Sequence, residues 1–447
     1  MKLIKCYLAV LTVLILSVLL VSCSGEGGGE SLWSQGSVEG VDGADSAVSN
    51  GLDVIASQNS MAIAGIKGNT VNFSKERFAC AMNLAYINSI TVTRLPDITR
   101  GALYIGSEGV SEGQKLSAND LSLLTYEAYG DPSVTEDSFD FSVNGSNYEI
   151  TCKIYLIDDI NYSPTLSLAS YVSLNCETYK NIPMSGVLSA YDPEGDEIVY
   201  EIIDYPENGL LVLNDKSKGT YTYTPSSDYT GEDSFSYVAV DKYGNYSASE
   251  DINISVRTAG VSTQYSDLLN NELHCHAIAM TECGLMNGVQ IGDYYYFEAD
   301  REVSRAEFIV TAMNAIGIKN VPDVDKTVFE DDADIYPEMK GYIALAYSKG
   351  YVSGTESEGK LFFRPDERVK LSEASVILSN MIGYAEPKIT PVFADADSIP
   401  TWSSKAIQSL HALGILELPD MITGASENVT RGDMAKLLNK AMLVIGK

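Results

Sequence analysis

Apolar residues along the chain recur with two different periods, and the change falls near residue 260. Before it the pattern alternates. Tyr148, Ile150, Cys152, Ile154 and Leu156 share one face of an extended segment, and Tyr221-Thr222-Tyr223-Thr224-Pro225 and Ile252-Asn253-Ile254-Ser255-Val256 alternate in the same way, as half-buried strands do. Pro206-Glu207-Asn208-Gly209 and Tyr243-Gly244-Asn245 punctuate these runs as turns. After residue 260 the period becomes helical. Phe308, Ala312 and Ile316 stand four apart, and Met434, Leu437, Leu438, Ala441 and Met442 trace the apolar stripe of an amphipathic helix. The pattern predicts an all-β part followed by an all-α part.

Both parts contain internal copies. Asp137-Ser138-Phe139-Asp140-Phe141 returns as Asp233-Ser234-Phe235-Ser236-Tyr237, 96 residues later, which is the size of one β-sandwich domain. In the helical part, Phe329-Glu330-Asp331 through Ile343 to Gly350 returns at Phe393-Ala394-Asp395 through Ile407 to Gly414, 64 residues on, and Glu307 to Gly317 returns at Glu373 to Gly383, 66 residues on. Three copies of a helical unit account for the stretch from about residue 268 onward.

The first 50 residues belong to neither pattern. A short basic start, Met1-Lys2-Leu3-Ile4-Lys5, leads into an apolar stretch from Tyr7 to Val21 broken only by Thr12 and Ser17. That run is short for a membrane span of about 20 residues and reads as an export signal. From Ser24 to about Asn50 the chain is Gly, Ser, Glu and Asp with few large apolar residues, too little to order itself. A flexible tether of this length reaches roughly 30 Å.

Charge and chemistry narrow the function. Sixty-one acidic residues against 30 basic ones give a formal net charge of -31 over 447 residues. Such a field repels nucleic acid and anionic lipid, and it keeps an exposed protein soluble without any ligand. Seven cysteines form no CxxC pair, so no disulfide framework is expected. His274-Cys275-His276, with Cys283 nearby, has the residue types of a zinc site. Three consecutive residues rarely converge on one metal, however, and an irregular helix face is expected there. No nucleophile elbow and no phosphate loop is present, and paired carboxylates are uninformative in so acidic a chain, so no enzyme is expected.

Each helical copy enters a helix through a related tetrapeptide: Ser304-Arg305-Ala306-Glu307, Lys370-Leu371-Ser372-Glu373 and Thr430-Arg431-Gly432-Asp433. The outer two read as capping boxes or near variants, which explains the hydroxyl and the acid. The arginine at the second position sits at the positive end of the helix dipole, against local preference. It is therefore a candidate for gripping a carboxylate or phosphate through parallel hydrogen bonds. On this reading alanine at Arg305 and Arg431 leaves folding intact to within about 0.5 kcal/mol per site.

Three resemblances give these features an expected context. Leu20-Val21-Ser22-Cys23, directly after the apolar run, resembles the lipobox of bacterial lipoproteins, which implies lipidation at Cys23 and a membrane anchor. Ala190-Tyr191-Asp192-Pro193-Glu194-Gly195-Asp196, followed by Asn208-Gly209-Leu210-Leu211, Gly219 to Pro225 and Tyr229 to Phe235, resembles the cadherin-like or bacterial Ig-like repeats of surface proteins over about residues 160 to 257. The preceding module keeps Leu95-Pro96, Gly101-Ala102-Leu103 and the Asp137 motif without the acidic turn, and resembles a divergent member. The resemblance implies calcium at Asp192, Glu194, Asp196 and Asp241, hard oxygen donors of the kind calcium takes six to eight of; the same residues also make a good turn without an ion.

The helical copies resemble a triplet of S-layer homology repeats. The resemblance implies a pseudo-threefold helical bundle whose grooves bind an anionic cell-wall polysaccharide. Carried over, Arg305 and Arg431 become the acid-binding residues. Trp402 becomes the sugar-stacking residue, its alternative being a core or staple aromatic. The second repeat departs from the pattern: Leu371 replaces the arginine, with Lys370 one residue before it, and Glu338 stands in the place of the tryptophan.

The expected organisation is a signal peptide at 1–22, a tether at 23–54, a divergent sandwich at 55–158, a cadherin-like sandwich at 159–258, and S-layer homology repeats at 259–320, 321–386 and 387–447. The expected function is a non-enzymatic surface lipoprotein that holds wall polymer and needs no cofactor, calcium aside. The rival expectation is an adhesin or receptor whose sandwich modules bind an external partner.

Overall fold

The computed structural model describes residues 60–446, apart from 83, 131–132, 167–173, 262–263 and 388–389. The expected signal peptide, Cys23 and the tether lie outside the described residues. The chain divides into two compact units: one runs to residue 163 and includes 240–248, and the other holds 164–239 and 249 onward.

The first unit is a sandwich of nine strands among the described residues: β1 (Ser60–Ile66), β2 (Val71–Asn72), β3 (Ser89–Arg94), β4 (Gly101–Ile105), β5 (Glu108–Gly109), β6 (Lys115–Ser117), β7 (Leu124–Ala128), β8 (Glu136–Val143) and β9 (Ile150–Ile157). Two short helices, α1 (Lys75–Ala81) and α2 (Ala118–Leu121), join them. One sheet has the order β1-β9-β8-β3-β6 and the other β2-β7-β4-β5. Ile150, Cys152, Ile154 and Leu156 are buried as their alternation requires, whereas Tyr148 precedes the strand and is half exposed.

The second sandwich follows the same plan with β10 (Asn175–Tyr179), β11 (Met184–Val187), β12 (Ile198–Asp204), β13 (Gly209–Asp215), β14 (Thr220–Pro225), β15 (Gly231–Asp241) and β16 (Glu250–Arg257). Its sheets run β10-β16-β15-β12 and β11-β14-β13, and in both sandwiches the first strand pairs parallel with the last. Why the Asp-Ser-Phe motif is copied is visible in the hydrogen bonds. Asp137 accepts from the Tyr126 hydroxyl at 2.8 Å and the Asp97 N–H at 3.2 Å. Asp233 accepts from the Tyr223 hydroxyl at 2.8 Å and the Glu207 and Asn208 N–H groups at 3.0 Å. Each tyrosine ring lies over a glycine, Gly101 or Gly209, at which a Cβ would come within 2.4 or 2.2 Å of the ring. The buried carboxylate thus ties a strand, its tyrosine and the preceding turn together, and every member must be present for the others to be satisfied.

Six α-helices follow among the described residues: α3 (His274–Glu282), α4 (Arg305–Ala315), α5 (Pro337–Ser348), α6 (Leu371–Ile382), α7 (Thr401–Ala412) and α8 (Arg431–Val444). Met434, Leu437, Leu438, Ala441 and Met442 are buried, as are Phe308 and Ala312. This part is not purely helical, because two hairpins interrupt it: β17 (Val289–Ile291) with β18 (Tyr294–Tyr296), and β19 (Thr355–Ser357) with β20 (Lys360–Phe362). Gly292, and Glu358 with Gly359, supply the positive φ angles of their tight turns. One contiguous hydrophobic core runs through the second sandwich and these helices.

Candidate functional site

The three tetrapeptides meet in a ring. The Val303 N–H donates to the Val429 carbonyl at 2.9 Å, Val429 donates to Val369 at 2.9 Å, and Val369 donates back to Val303 at 3.1 Å. All three valines are buried. A second cycle surrounds the first: Arg305 N–H to Glu367, Leu371 to Glu427 and Arg431 to Arg301. These bonds give the helical part a pseudo-threefold axis, around which α4, α6 and α8 each start.

A third set of contacts repeats around the axis. Asp331 accepts from the N–H groups of Phe363 and Arg364, Asp395 from those of Thr423 and Gly424, and Asp267 from those of Phe297 and Glu298. Tyr265-Ser266-Asp267 is therefore the first copy of the Phe-x-Asp motif, 64 residues before Phe329-Glu330-Asp331. Sequence reasoning missed it because tyrosine replaces phenylalanine; the acid at a constant spacing was the available signal.

The helix starts carry the expected caps at both ends of the set. Ser304 accepts from the Glu307 N–H, and Thr430 with Asp433 forms a complete capping box. At the middle start only half of the box exists: the Glu373 carboxylate accepts from the Lys370 N–H at 3.2 Å, while an ammonium has nothing with which to accept in return.

The motif arginines have partners within the fold. Arg305 donates from Nε to the Phe363 carbonyl at 3.0 Å and from Nη1 to Glu373 at 2.8 Å, with its side chain 12% exposed. Arg431 donates from Nε to the Phe297 carbonyl at 2.9 Å and from Nη2 to the Asn287 carbonyl at 3.0 Å, and lies 3.5 Å from Glu307. Burial first, then Arg301, pull the Arg431 guanidinium below its ordinary range, while Glu307 and Glu298 favour its charge. Each arginine thus reaches from its own repeat to the loop and acid of the next one. This corrects the expectation that the arginine is dispensable for folding: what overcomes the unfavourable dipole is a pair of charge-assisted bonds across the repeat boundary. At the third boundary Leu371 makes no such link.

Trp402 lies in the first turn of α7 and is 60% exposed, so it is not a core aromatic. Among the described residues it joins neither arginine nor Lys370 by a hydrogen bond or ring contact. Lys370 and Glu338 are exposed. Counting back along the repeats, the position of Trp402 and Glu338 falls at His274, which is buried and accepts from the Tyr265 N–H at 3.4 Å.

Among the described residues, Asp192, Glu194 and Asp196 form a group of three carboxylates whose oxygens lie within 4.8 Å of one another. Asp192 also accepts from the N–H groups of Glu194 and Asp196, so the turn and the acidic cluster are the same object. Asp241 is committed to its own turn, accepting from the Tyr243 and Asn245 N–H groups and from the Asn245 and Asn161 side chains. His274, Cys275 and His276 are each buried in α3, and His276 Nδ1 faces the Asn439 side-chain nitrogen at 2.9 Å. Cys275 and Cys283 are free thiols.

Comparison with known proteins places part of this in context. Residues 161–258 match the family model of the bacterial cadherin-like domain. The Surface-layer 125 kDa protein of Lysinibacillus sphaericus is 24% identical over 131 residues, which is 29% of this chain and 11% of that protein. The matched part therefore spans about a tenth of that curated relative. Solved structures with detectable similarity include Drosophila N-cadherin EC1-3, 15% identical over 37% of this chain and 56% of that one with a TM-score of 0.21. The endo-fucoidan hydrolase MfFcnA4 is 20% identical over 38% and 23% of the two chains with a TM-score of 0.18. Scores this low carry no conclusion about fold or activity. Among the described residues no helix is long and apolar enough to cross a membrane.

Proposed function

We propose that the chain is an exported, non-enzymatic surface protein that holds an anionic cell-wall polysaccharide through its C-terminal helical triplet and displays its two sandwiches. The observation that carries this reading is the threefold ring of repeats, with the related motifs at its three helix starts. The cadherin-like match and the partial similarity to a surface-layer protein support a cell-surface role. Trp402 and Lys370, both exposed, are the direct contacts on this reading. Arg305 and Arg431 act mainly by fixing the loops around them, with their remaining N–H groups as acid contacts. Lipidation at Cys23 adds a membrane anchor.

The deciding experiment is capture of the full chain by purified wall sacculi, before and after acid stripping of their secondary polymer. Capture by the intact sacculi alone is expected; equal capture by both, or none, rejects the reading. Calcium belongs to the same proposal as a secondary element. The three clustered carboxylates of the second sandwich supply hard donors, and millimolar calcium should raise the melting temperature of the unit containing them by preferential binding to the folded state. An unchanged melting curve leaves the acidic turn as a turn.

A further inference from the structure

The helical part pairs α4 with α5, α6 with α7 and α8 with α3, so three outer faces are related by the pseudo-threefold axis. The faces are not chemically alike. On the α6/α7 face, Trp402 and Lys405 stand one turn apart on α7, which places them on one side of the helix. The Lys405 ammonium lies 5.5 Å from the centre of the Tyr384 ring, which follows α6. Tyr384 is 44% and Trp402 60% exposed, and the Lys405 side chain is 66% exposed. Tyr384 is held by its hydroxyl, which donates to Asn380 at 2.9 Å. Lys405 pairs with the exposed Glu386 at 3.1 Å.

The equivalent positions on the other faces lack this chemistry. On α4/α5 they are Glu338, Gly341 and Ile318; at Gly341 a Cβ would fall 2.4 Å from the Pro322 carbonyl, so no side chain fits there. On α8/α3 they are His274, Ala277 and Val444, the first two buried. The repeat fold therefore requires none of the aromatic, cationic or aromatic groups found on α6/α7. Two exposed flat rings, one beside the ammonium and the other on the same helix one turn from it, complement a sugar carrying a carboxylate: the rings cover its apolar face and the cation pairs with its acid in place of Glu386.

We propose that the α6/α7 face is the one strong subsite of the triplet for an acidic sugar residue of the polymer, with Lys405 as its charge partner and Tyr384 as a second stacking platform beside Trp402. This rests on the wall-binding reading, and the test separates the two. The chain has two tryptophans, Trp33 and Trp402, so a Trp33→Phe full-length protein reports Trp402 alone by fluorescence. Polymer released from sacculi by mild acid should shift and saturate that emission. Lys405→Glu should weaken binding at least tenfold and Tyr384→Ala at least threefold, with Lys405→Gln intermediate and its thermal melt unchanged. Capture of the parent by intact sacculi, combined with an unmoved Trp402 emission and Lys405→Glu binding within twofold of the parent, overturns the subsite and leaves the wall reading standing. Absence of sacculus capture by the parent removes both.

Discussion

At Arg305 and Arg431 local helix physics and the folded structure give different answers. The dipole disfavours a cation at a helix start, and a residue that defies local preference usually serves something nonlocal. Here that is the neighbouring repeat: Nε to a backbone carbonyl and Nη to an acid or a second carbonyl. Arg305→Ala should therefore cost roughly 1.5 to 3 kcal/mol, because it strands the Phe363 carbonyl and leaves Glu373 without its cation. Arg305→Lys should recover only part of this, since an ammonium cannot repeat the fork. Urea unfolding midpoints at constant slope measure both; a loss below about 0.5 kcal/mol for alanine returns the residue to the dispensable class.

The same scale governs acid sensitivity. Glu417 is buried between Lys440 and Lys436; burial alone would raise its carboxyl, but the two ammonium groups together hold it down at about 2. Its folded value is below its unfolded value of about 4.3, so its stabilisation is present above that pH and is lost as pH falls toward 2. His276 is pulled down to about 3, by burial first and then by Lys436 and Lys440. The unfolded chain takes up that proton near pH 6.5 while the folded one does not, so stability declines from there downward. His276→Gln should reduce the slope of the stability profile between pH 6.5 and 4, where His274, also pulled down by burial, keeps a share of it, and should leave the Glu417 limb below. A profile that keeps its slope in that window removes His276 as a cause.

Elements were legible where a period or a copy expresses them. The alternation in β9, β14 and β16 and the apolar stripes of α4 and α8 correspond to buried faces. The Asp-Ser-Phe copy led to two sandwiches sharing one strand plan. Less legible were the features fixed by contacts far apart in sequence. The hairpins β17/β18 and β19/β20 are too short for a period to appear. The Tyr265-Ser266-Asp267 start of the first repeat is recognisable only once Asp267 is seen holding two N–H groups 30 residues away. The tyrosine beneath each Asp motif was likewise invisible as a partner. Tyr223→Phe tests that element directly. It removes one hydrogen bond from the buried Asp233, whose Oδ2 still accepts from the Asn208 N–H, and should cost about 1.5 to 3 kcal/mol, the contribution of a hydrogen bond to a charged group. Gly209→Ala should cost at least as much, because its Cβ would enter the ring. If Tyr223→Phe unfolds at the parent's denaturant midpoint, the latch is decorative.

On the scale of the molecule, the second sandwich and the helical triplet behave as one body rather than as a spacer and a binding domain. The burial of α3 shows why. In α7 the buried residues fall on one stripe and in α5 only three residues are buried, but in α3 every residue from His274 to Met280 is buried. A helix covered on all sides needs a second neighbour besides its partner α8, and β10 of the sandwich supplies it. Glu282 at the end of α3 accepts from the Tyr179 hydroxyl at 2.8 Å and from the Gly260 N–H, with Arg257 beside it; Lys218 pairs with Asp420. Asn175, Cys176 and Met184 of the sandwich face Cys275, His276 and Lys440 of the helices across a cavity of about 30 Å³, room for one or two waters. Cutting the chain at residue 258 would expose the outer side of α3 and hydrate the Glu417 cluster. Calorimetry of the intact chain should therefore show the second sandwich and the triplet melting in a single transition, and an isolated 259–447 fragment should melt several degrees lower. Glu282→Ala in the intact chain should move it part of the way, by loosening the joint without removing the sandwich. A fragment that melts at the temperature of the intact unit would mean that the covering of α3 contributes nothing, and the sandwich would then be a spacer after all.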